Sequence, residues 1–197
     1  MKMRASMNEK KLPRAFLDTN VLYPLVIRDI LLWFAYEELF LPFWSKHVIM
    51  EWSRVMKRNG LTQIESQRRM HMIQDAFPFA MVRGYESLIE QFDLPDEDDR
   101  HVLAAAIRVG ADYIVTQNLK DFPKSALSPL GIAAMNADAF LANLIRSNSK
   151  KALRAFNQMV KQRKRPVQSS QEVIQSLRSH GLKQTAELLY EMVSRHH

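Results

Sequence analysis

The chain contains no cysteine. That excludes disulfides, a thiolate nucleophile and any zinc site built on sulfur, and it accords with a cytoplasmic protein. Long apolar runs are missing too. The longest, Ile30–Tyr36, stops at Glu37 and Glu38, far short of the roughly 20 residues that cross a bilayer, so no membrane partner is expected. The N-terminal stretch MKMRASMNEKK carries charge but no apolar segment or small-residue cleavage site behind it; it reads as a solvated leader, not a secretory signal. There is no internal repeat and no low-complexity tract. Acidic residues are scarce at one end: from Arg146 onward, eleven basic residues are set against only Glu172, Glu187 and Glu191.

What the chain does have is a core. Its 197 residues are 47% hydrophobic, enough for one ordinary domain with a small appendage. The net charge of +7 points to a polyanionic partner. Against that basic background stands one dense acidic cluster, FDLPDEDDR, over Phe92–Arg100.

The apolar pattern alternates between short strands and helices. Strands are expected at 15–18, 43–44, 79–82, 112–116 and 131–134. Helical spacing runs from Leu25 to Phe40, from Lys46 to Arg58 behind a Ser45 cap, and from Thr62 to Phe77. A short helix is expected over 85–91. The segment PDEDDRHVLAAAIRVG puts acids in its first turn, alanines in its middle and Gly110 at its end, the charge order a helix dipole favours. Strands alternating with helices imply a parallel sheet covered on both faces. From Ala137 onward only helical spacing appears. The expected organisation is a domain over 14–146 and a basic helical region over 147–197.

Carboxylates recur at the ends of these elements. Asp18 follows the first strand in FLDTNVLY, where it serves equally well as a helix N-cap. Glu51 lies on the helix after the second strand; Asp96, Glu97, Asp98 and Asp99 open the acidic helix; Asp121 follows the fourth strand. In an open parallel sheet the carboxyl ends of the strands share one edge, where ligands bind. Two unit charges about 5 Å apart repel by roughly 3 kcal/mol at an effective dielectric of about 20, so converging acids call for protons, a cation or a basic partner. An all-oxygen site suits Mg²⁺ or Mn²⁺. Taken singly, Glu51 also reads as a solvated helix residue, the Asp96–Asp99 run as helix electrostatics, and Asp121 as a turn former.

The ordered set FLDTNVL, HVIMEW, DEDDRHVLAAAI, ADYIVTQNLKDFP and GIAAMNADAFL resembles a PIN domain, the metal-dependent nuclease fold of VapC-type toxins, over about Arg14–Ile145. The resemblance implies a three-layer α/β/α fold with a central, mainly parallel sheet. It also implies a Mg²⁺- or Mn²⁺-dependent ribonuclease with Asp18, Glu51 and Asp99 as the central acids and Asp121 as a fourth. Asp96 and Asp98 compete with Asp99 for its role. Many members carry an acid two positions after the residue matching Thr116; this chain has Asn118, which can coordinate through its amide oxygen but adds no charge. Thr19, Asn20 and Thr116 are implied as supporting polar groups. The implied chemistry is hydrolysis of an RNA phosphodiester by water that the metal activates. The implied partners are a small antitoxin and a second copy of the chain.

Basic residues near these motifs, among them Arg28, Arg54, Arg100 and Lys120, are candidates to hold flanking RNA phosphates. Three rival readings differ in what they need. A haloacid-dehalogenase phosphatase requires a second Asp where Asn20 stands. A nuclease for structured DNA shares the acidic chemistry, but no DNA-reading motif accompanies it. A catalytically weak PIN domain that binds RNA or a partner would use the basic stretch KALRAFNQMVKQRKR, although its Leu153, Phe156, Met159 and Val160 stripe also reads as a packed face. His47, His71 and His101 lack ligand spacing and receive no role; Trp33, Trp44 and Trp52 read as core or interface.

Overall fold

A computed structural model describes residues 11–164 and 166–195. The leader reading, except at Lys11, and the terminal His196-His197 pair lie outside these residues. Five strands, β1 (Arg14–Leu17), β2 (Leu41–Ser45), β3 (Met81–Val82), β4 (Tyr113–Val115) and β5 (Ala133–Met135), form one sheet in the order β3-β2-β1-β4-β5. Every pairing is parallel. A sheet of this kind needs helices between its strands and on its faces, and the chain supplies them: α1 (Thr19–Leu22), α2 (Leu25–Tyr36), α3 (Lys46–Arg58), α4 (Gln63–Ala76), α5 (Arg100–Arg108), α6 (Lys124–Leu127) and α7 (Ala137–Ser147). The expected α/β fold is the observed one.

Local chemistry sets most of the boundaries. Ser45 Oγ accepts from Val48 N and starts α3. Thr62 and Glu65 form a capping box that starts α4. The third strand is shorter than expected, at Met81–Val82, the fifth lies at Ala133–Met135, and three further departures from the periodic pattern have a local cause. The pattern continues to Phe40, yet α2 ends at Tyr36 because Glu38 turns left-handed at φ 54°. Leu39 N then bonds Phe34 O and Glu38 N bonds Ala35 O, which satisfies the last carbonyls. Pro42 lies inside β2, where a proline is usually excluded. Leu41 N faces β1 and Trp44 N faces the β3 side, so the proline nitrogen also points to the β3 side. There β3 pairs only with Trp44 and Ser45, and no ladder bond is lost. The acidic segment opens as a 3₁₀ turn over Glu97–Asp99, and α5 proper starts only at Arg100.

Helix α5 lies over the middle of the sheet against β1, β2 and β4. Its Val102, Leu103, Ala104, Ala105 and Ala106 are all buried, and the small alanines let the helix axis approach the strands closely. That approach brings the acidic start of α5 to the carboxyl edge of β1 and β4.

The C-terminal helices are α8 (Ser149–Gln162), α9 (Ser170–Ser179) and α10 (Lys183–Ser194). One hydrophobic cluster runs from β1 through Phe156, Leu177 and Leu189. α8 packs on α2, and two of its cations and its C-cap Arg163 meet acids of that helix or its end: Arg163 with Asp29 at 2.7 Å, Arg154 with Glu37 at 3.4 Å and Lys151 with Glu38 at 3.5 Å. Lys151 also donates to the carbonyl of left-handed Glu38. Leu182 precedes α10 and offers no side-chain cap. Asp138 of α7 fills that role from another helix, accepting from Gln184 N (3.0 Å), Thr185 N and Thr185 Oγ1 (both 2.8 Å). Asp138→Ala removes the acceptor of the buried Thr185 amide and the half-buried Gln184 amide, leaves Thr185 Oγ1 only the Asp138 carbonyl at 3.3 Å, and is expected to destabilise the fold by about 2 kcal/mol, read as a lower urea midpoint at unchanged slope.

Candidate active site

The first strand delivers Asp18 to the carboxyl edge of the sheet, where its backbone N bonds Val115 O of β4 at 3.1 Å. Asp18 is 5% exposed. Thr19 N donates to Oδ1 at 2.6 Å, so Asp18 does cap the short helix α1. Asn20 Nδ2 (2.6 Å) and Thr116 Oγ1 (2.7 Å) donate to Oδ2. The cap reading and the cluster reading therefore describe the same side chain. Burial raises the Asp18 carboxyl above its ordinary range despite the bonds from Thr116 and Thr19, and the charge of Glu51 adds to the rise.

Asp99 comes from the opposite direction, at the start of α5. Desolvation first, then the charges of Asp18, Asp96 and Asp121, push it up to about 6. Asp96, Asp99 and Asp121 each present an oxygen within 4.8 Å of the others. Asp121 is buried, and Asp96 is exposed. Asn118 lies between two of these acids: its Nδ2 donates to Asp99 Oδ2 at 3.4 Å and to Asp121 Oδ2. Flanked by carboxylates, an amide must present its NH₂ group. With its NH₂ group turned to both carboxylates, Asn118 stands as a clamp between two acids.

Glu51 sits to one side of this group. Its Oε2 accepts from Thr19 Oγ1 at 2.5 Å and its Oε1 from His101 Nε2 at 2.9 Å. Burial works to raise its carboxyl, but the bonds from His101 and Thr19 and the charges of His101 and His47 outweigh it and hold Glu51 below the ordinary range. Two neighbouring carboxyls are thus held in opposite directions, an arrangement typical of sites that divide acid and base tasks.

Thr19, Asn20, Thr116 and Asn118 all touch the carboxylates, as their proposed supporting role requires. Asp98 is exposed, and the bond drawn to it is its backbone N on Asp96 Oδ1; Asp98 is not among the three acids within 4.8 Å of one another. Of the basic candidates, Arg54 is exposed, three residues beyond Glu51 on α3. Lys120 is 83% exposed, with Nζ 3.9 Å from Asp121. Arg100 is engaged by Glu97, Asp93 and Glu90 at 3.1, 3.4 and 3.8 Å. Arg28 is buried: its Nη1 donates to Leu22 O and Tyr23 O, closing α1, and its guanidinium lies 4.9 Å above the Trp52 ring. It is a structural cation, not an RNA contact. His101, which the sequence left without a role, is 8% exposed and touches the site directly. The one trace in the sequence is that His47, whose ring stacks beside it, stands four residues before Glu51 on the same face of α3.

The donor set is all oxygen and rich in negative charge, and burial raises the carboxyls of Asp18 and Asp99. Those properties fit a hard divalent ion such as Mg²⁺ or Mn²⁺. Among the described residues, no helix is long and apolar enough to cross a membrane.

Comparison with known proteins gives three findings. Residues 14–120 match the PIN domain family, and residues 137–191 match the VapC50 C-terminal domain. The chain is 50% identical over 62 residues to "Putative ribonuclease VapC50" of Mycobacterium tuberculosis (strain ATCC 25618 / H37Rv), a stretch covering 32% of this chain and 36% of that protein. No solved structure matches.

Proposed function

The chain belongs to the PIN-domain family, and from that premise we propose that it is a metal-dependent endoribonuclease, the toxin of a VapC-type toxin–antitoxin pair. The observation that carries the proposal is the convergence of Asp18, Asp96, Asp99 and Asp121 at the carboxyl edge of β1 and β4, with Asp99 pushed up to about 6. Burial opposes ionisation of Asp18 and Asp99 in particular, and a bound cation would offset that cost.

Asp96, Asp99 and Asp121, with Asp18 beside them, are the residues that would hold Mg²⁺ or Mn²⁺. When bound, the cation supplies Lewis-acid activation of water and offsets charge on the scissile phosphate. The chain does the rest. Asn20 and Thr116 fix the Asp18 carboxylate, Asn118 spaces Asp99 from Asp121, and Glu51, kept ionised by its two donors, accepts a proton from the attacking water. Lys120, exposed beside Asp121, and Arg54, exposed on α3 three residues past Glu51, hold phosphates flanking the cleaved bond. The partners that follow from this reading are RNA, a small antitoxin and a second copy of the chain, in the cytoplasm.

The binding-module alternative gains little here, because Lys151, Arg154 and Arg163 of the basic segment already meet Glu38, Glu37 and Asp29. The test is cleavage of end-labelled total RNA, and of DNA in parallel, by purified protein with Mg²⁺, Mn²⁺ or EDTA, beside Asp18→Asn. Discrete RNA fragments that need the cation and vanish in the variant are the expected result. Retention of RNA without cleavage by a folded, metal-loaded protein would support the binding module instead, and DNA fragments would move the substrate.

A further inference from the structure

Glu51 is the one acid of the site whose two oxygens are each held by a side-chain donor, and the two donors come from different parts of the fold. Thr19 belongs to α1, next to Asp18. His101 belongs to α5, two residues past Asp99, and its Nε2 is 2.9 Å from Glu51 Oε1. Since Glu51 accepts at Oε1, Nε2 must carry the proton. The other ring nitrogen, Nδ1, is buried and has no hydrogen-bond partner, so nothing on that side competes for the ring or turns it away from Glu51.

What holds the ring from behind is a second histidine. The His47 ring stacks on His101 at 5.1 Å with a tilt of 32°, and His47 Nδ1 lies 2.6 Å from the hydroxyl of Tyr85, which is fully buried. Tyr85 leads directly into the 3₁₀ turn Glu86–Gln91 that packs on α5. A line of four side chains therefore runs from the packed body of the protein to the carboxylate: Tyr85, His47, His101, Glu51. The absence of HxxxH or similar spacing hid it, because the members come from α3, α5 and the loop between β3 and the turn.

We propose that His101 is a positioning residue for the nuclease reaction: by donating from Nε2 it fixes the rotamer of Glu51, with His47 and Tyr85 bracing the imidazole. The inference rests on the nuclease reading above. Thr19 alone leaves Glu51 free to swing about a single bond to Oε2, since a Glu side chain has three rotatable torsions. The second tether, from a different helix, removes that freedom. Losing the partner of a site carboxylate commonly costs about 10- to 100-fold in activity or metal affinity.

The experiment compares His101→Leu, which keeps bulk but removes the donor, with His101→Gln, whose terminal NH₂ can reach the Nε2 position. Each is made in wild type and in Glu51→Gln. Expected are a kcat for RNA cleavage about 10- to 100-fold lower in His101→Leu with KM within about twofold, and recovery to within about fivefold in His101→Gln. In the Glu51→Gln background His101→Leu is expected to change kcat by less than about twofold, because the residue acts through Glu51. An independent readout needs no catalysis: in ¹⁵N-labelled protein the Nε2–H of His101 gives a slowly exchanging signal that is lost in Glu51→Ala while the protein stays folded. Full kcat in His101→Leu, or no rescue by Gln with the fold intact, overturns the positioning role while leaving the nuclease reading standing. A wild type that cuts no RNA, with the His101 signal unchanged by Glu51→Ala, overturns both.

Discussion

Asp99→Asn is expected to slow RNA cleavage by at least about 100-fold and, at the same time, to raise the melting temperature of the metal-free protein above pH 7. The first effect follows from removing one oxygen anion from a three-acid group that would hold the cation, whose contribution to such hydrolyses is several kcal/mol. The second follows from the direction of the Asp99 shift. Its carboxyl, ordinarily at 3.8, is pushed up to about 6 by desolvation and by Asp18, Asp96 and Asp121. Between these two values the folded protein holds a proton that the unfolded chain has released, so stability falls as pH rises from about 4 through about 6 and stays reduced above it. At full strength the difference corresponds to about 3 kcal/mol. Asp99 is only half-buried, and solvent screening brings that down to about 1 kcal/mol, or roughly 2–4 °C for a chain of this size.

Asparagine carries no such charge. In EDTA, Asp99→Asn should therefore melt higher than wild type at pH 8 and at about the same temperature as wild type at pH 4. Adding Mn²⁺ should raise the wild-type melting temperature at pH 8 more than at pH 5, where protons compete for the same oxygens. Scanning calorimetry across that pH range, with and without the ion, checks all of this. A variant that melts below wild type at pH 8 in EDTA would show that the acids are structural supports and not a strained seat.

Phe156→Ala is expected to cost about 3–5 kcal/mol of stability, equivalent to a fall of roughly 10 °C or more. Phe156 is fully buried on α8, the helix that packs on α2, and it belongs to the same hydrophobic cluster as Phe16 and Leu17 of β1. Its loss opens a cavity between the C-terminal helices and the body of the protein. The comparison is Arg154→Ala on the same helix. Arg154 is 61% exposed in its pair with Glu37, and pairs of that kind contribute about 0–1 kcal/mol. Urea unfolding of the two variants, with RNA affinity measured alongside, separates the roles of α8. A large loss for Phe156→Ala with unchanged RNA affinity in Arg154→Ala makes the helix a structural element. A small loss for the first and a large drop in affinity for the second would make it a nucleic-acid arm.

Helices were legible wherever their ends are written in local chemistry. Ser45 ahead of Val48, Thr62 with Glu65, and Ser169 with Glu172 each satisfy backbone donors within one turn, so three or four residues suffice to read the boundary. The alternation of those helices with short apolar runs likewise requires a parallel sheet, since each strand must be followed by a crossover. The acids too were legible as a set, because each follows a strand or opens a helix and the carboxyl edge gathers such residues.

Placement beyond that edge was not. The sequence resemblance favours Asp99 but leaves Asp96 and Asp98 as close competitors for its role. Only the 3₁₀ turn at Glu97–Asp99 decides that exposed Asp96 and half-buried Asp99 meet Asp121 while Asp98 does not. Which end of the Asn118 amide faces the acids is set only by the two carboxylates on either side of it. Arg28 looked like a surface cation until packing on Trp52 and the end of α1 buried it. His101 had no motif to mark it. The chain by itself determined the element types, the parallel sheet and the pool of acids, because these depend on neighbours within a few residues or on the rule that strands share an edge. Which acids face one another, and which donors hold them, was decided only when α3, α5 and the loop after β4 packed together, since a hydrogen bond between residues 50 or 98 positions apart leaves no local trace.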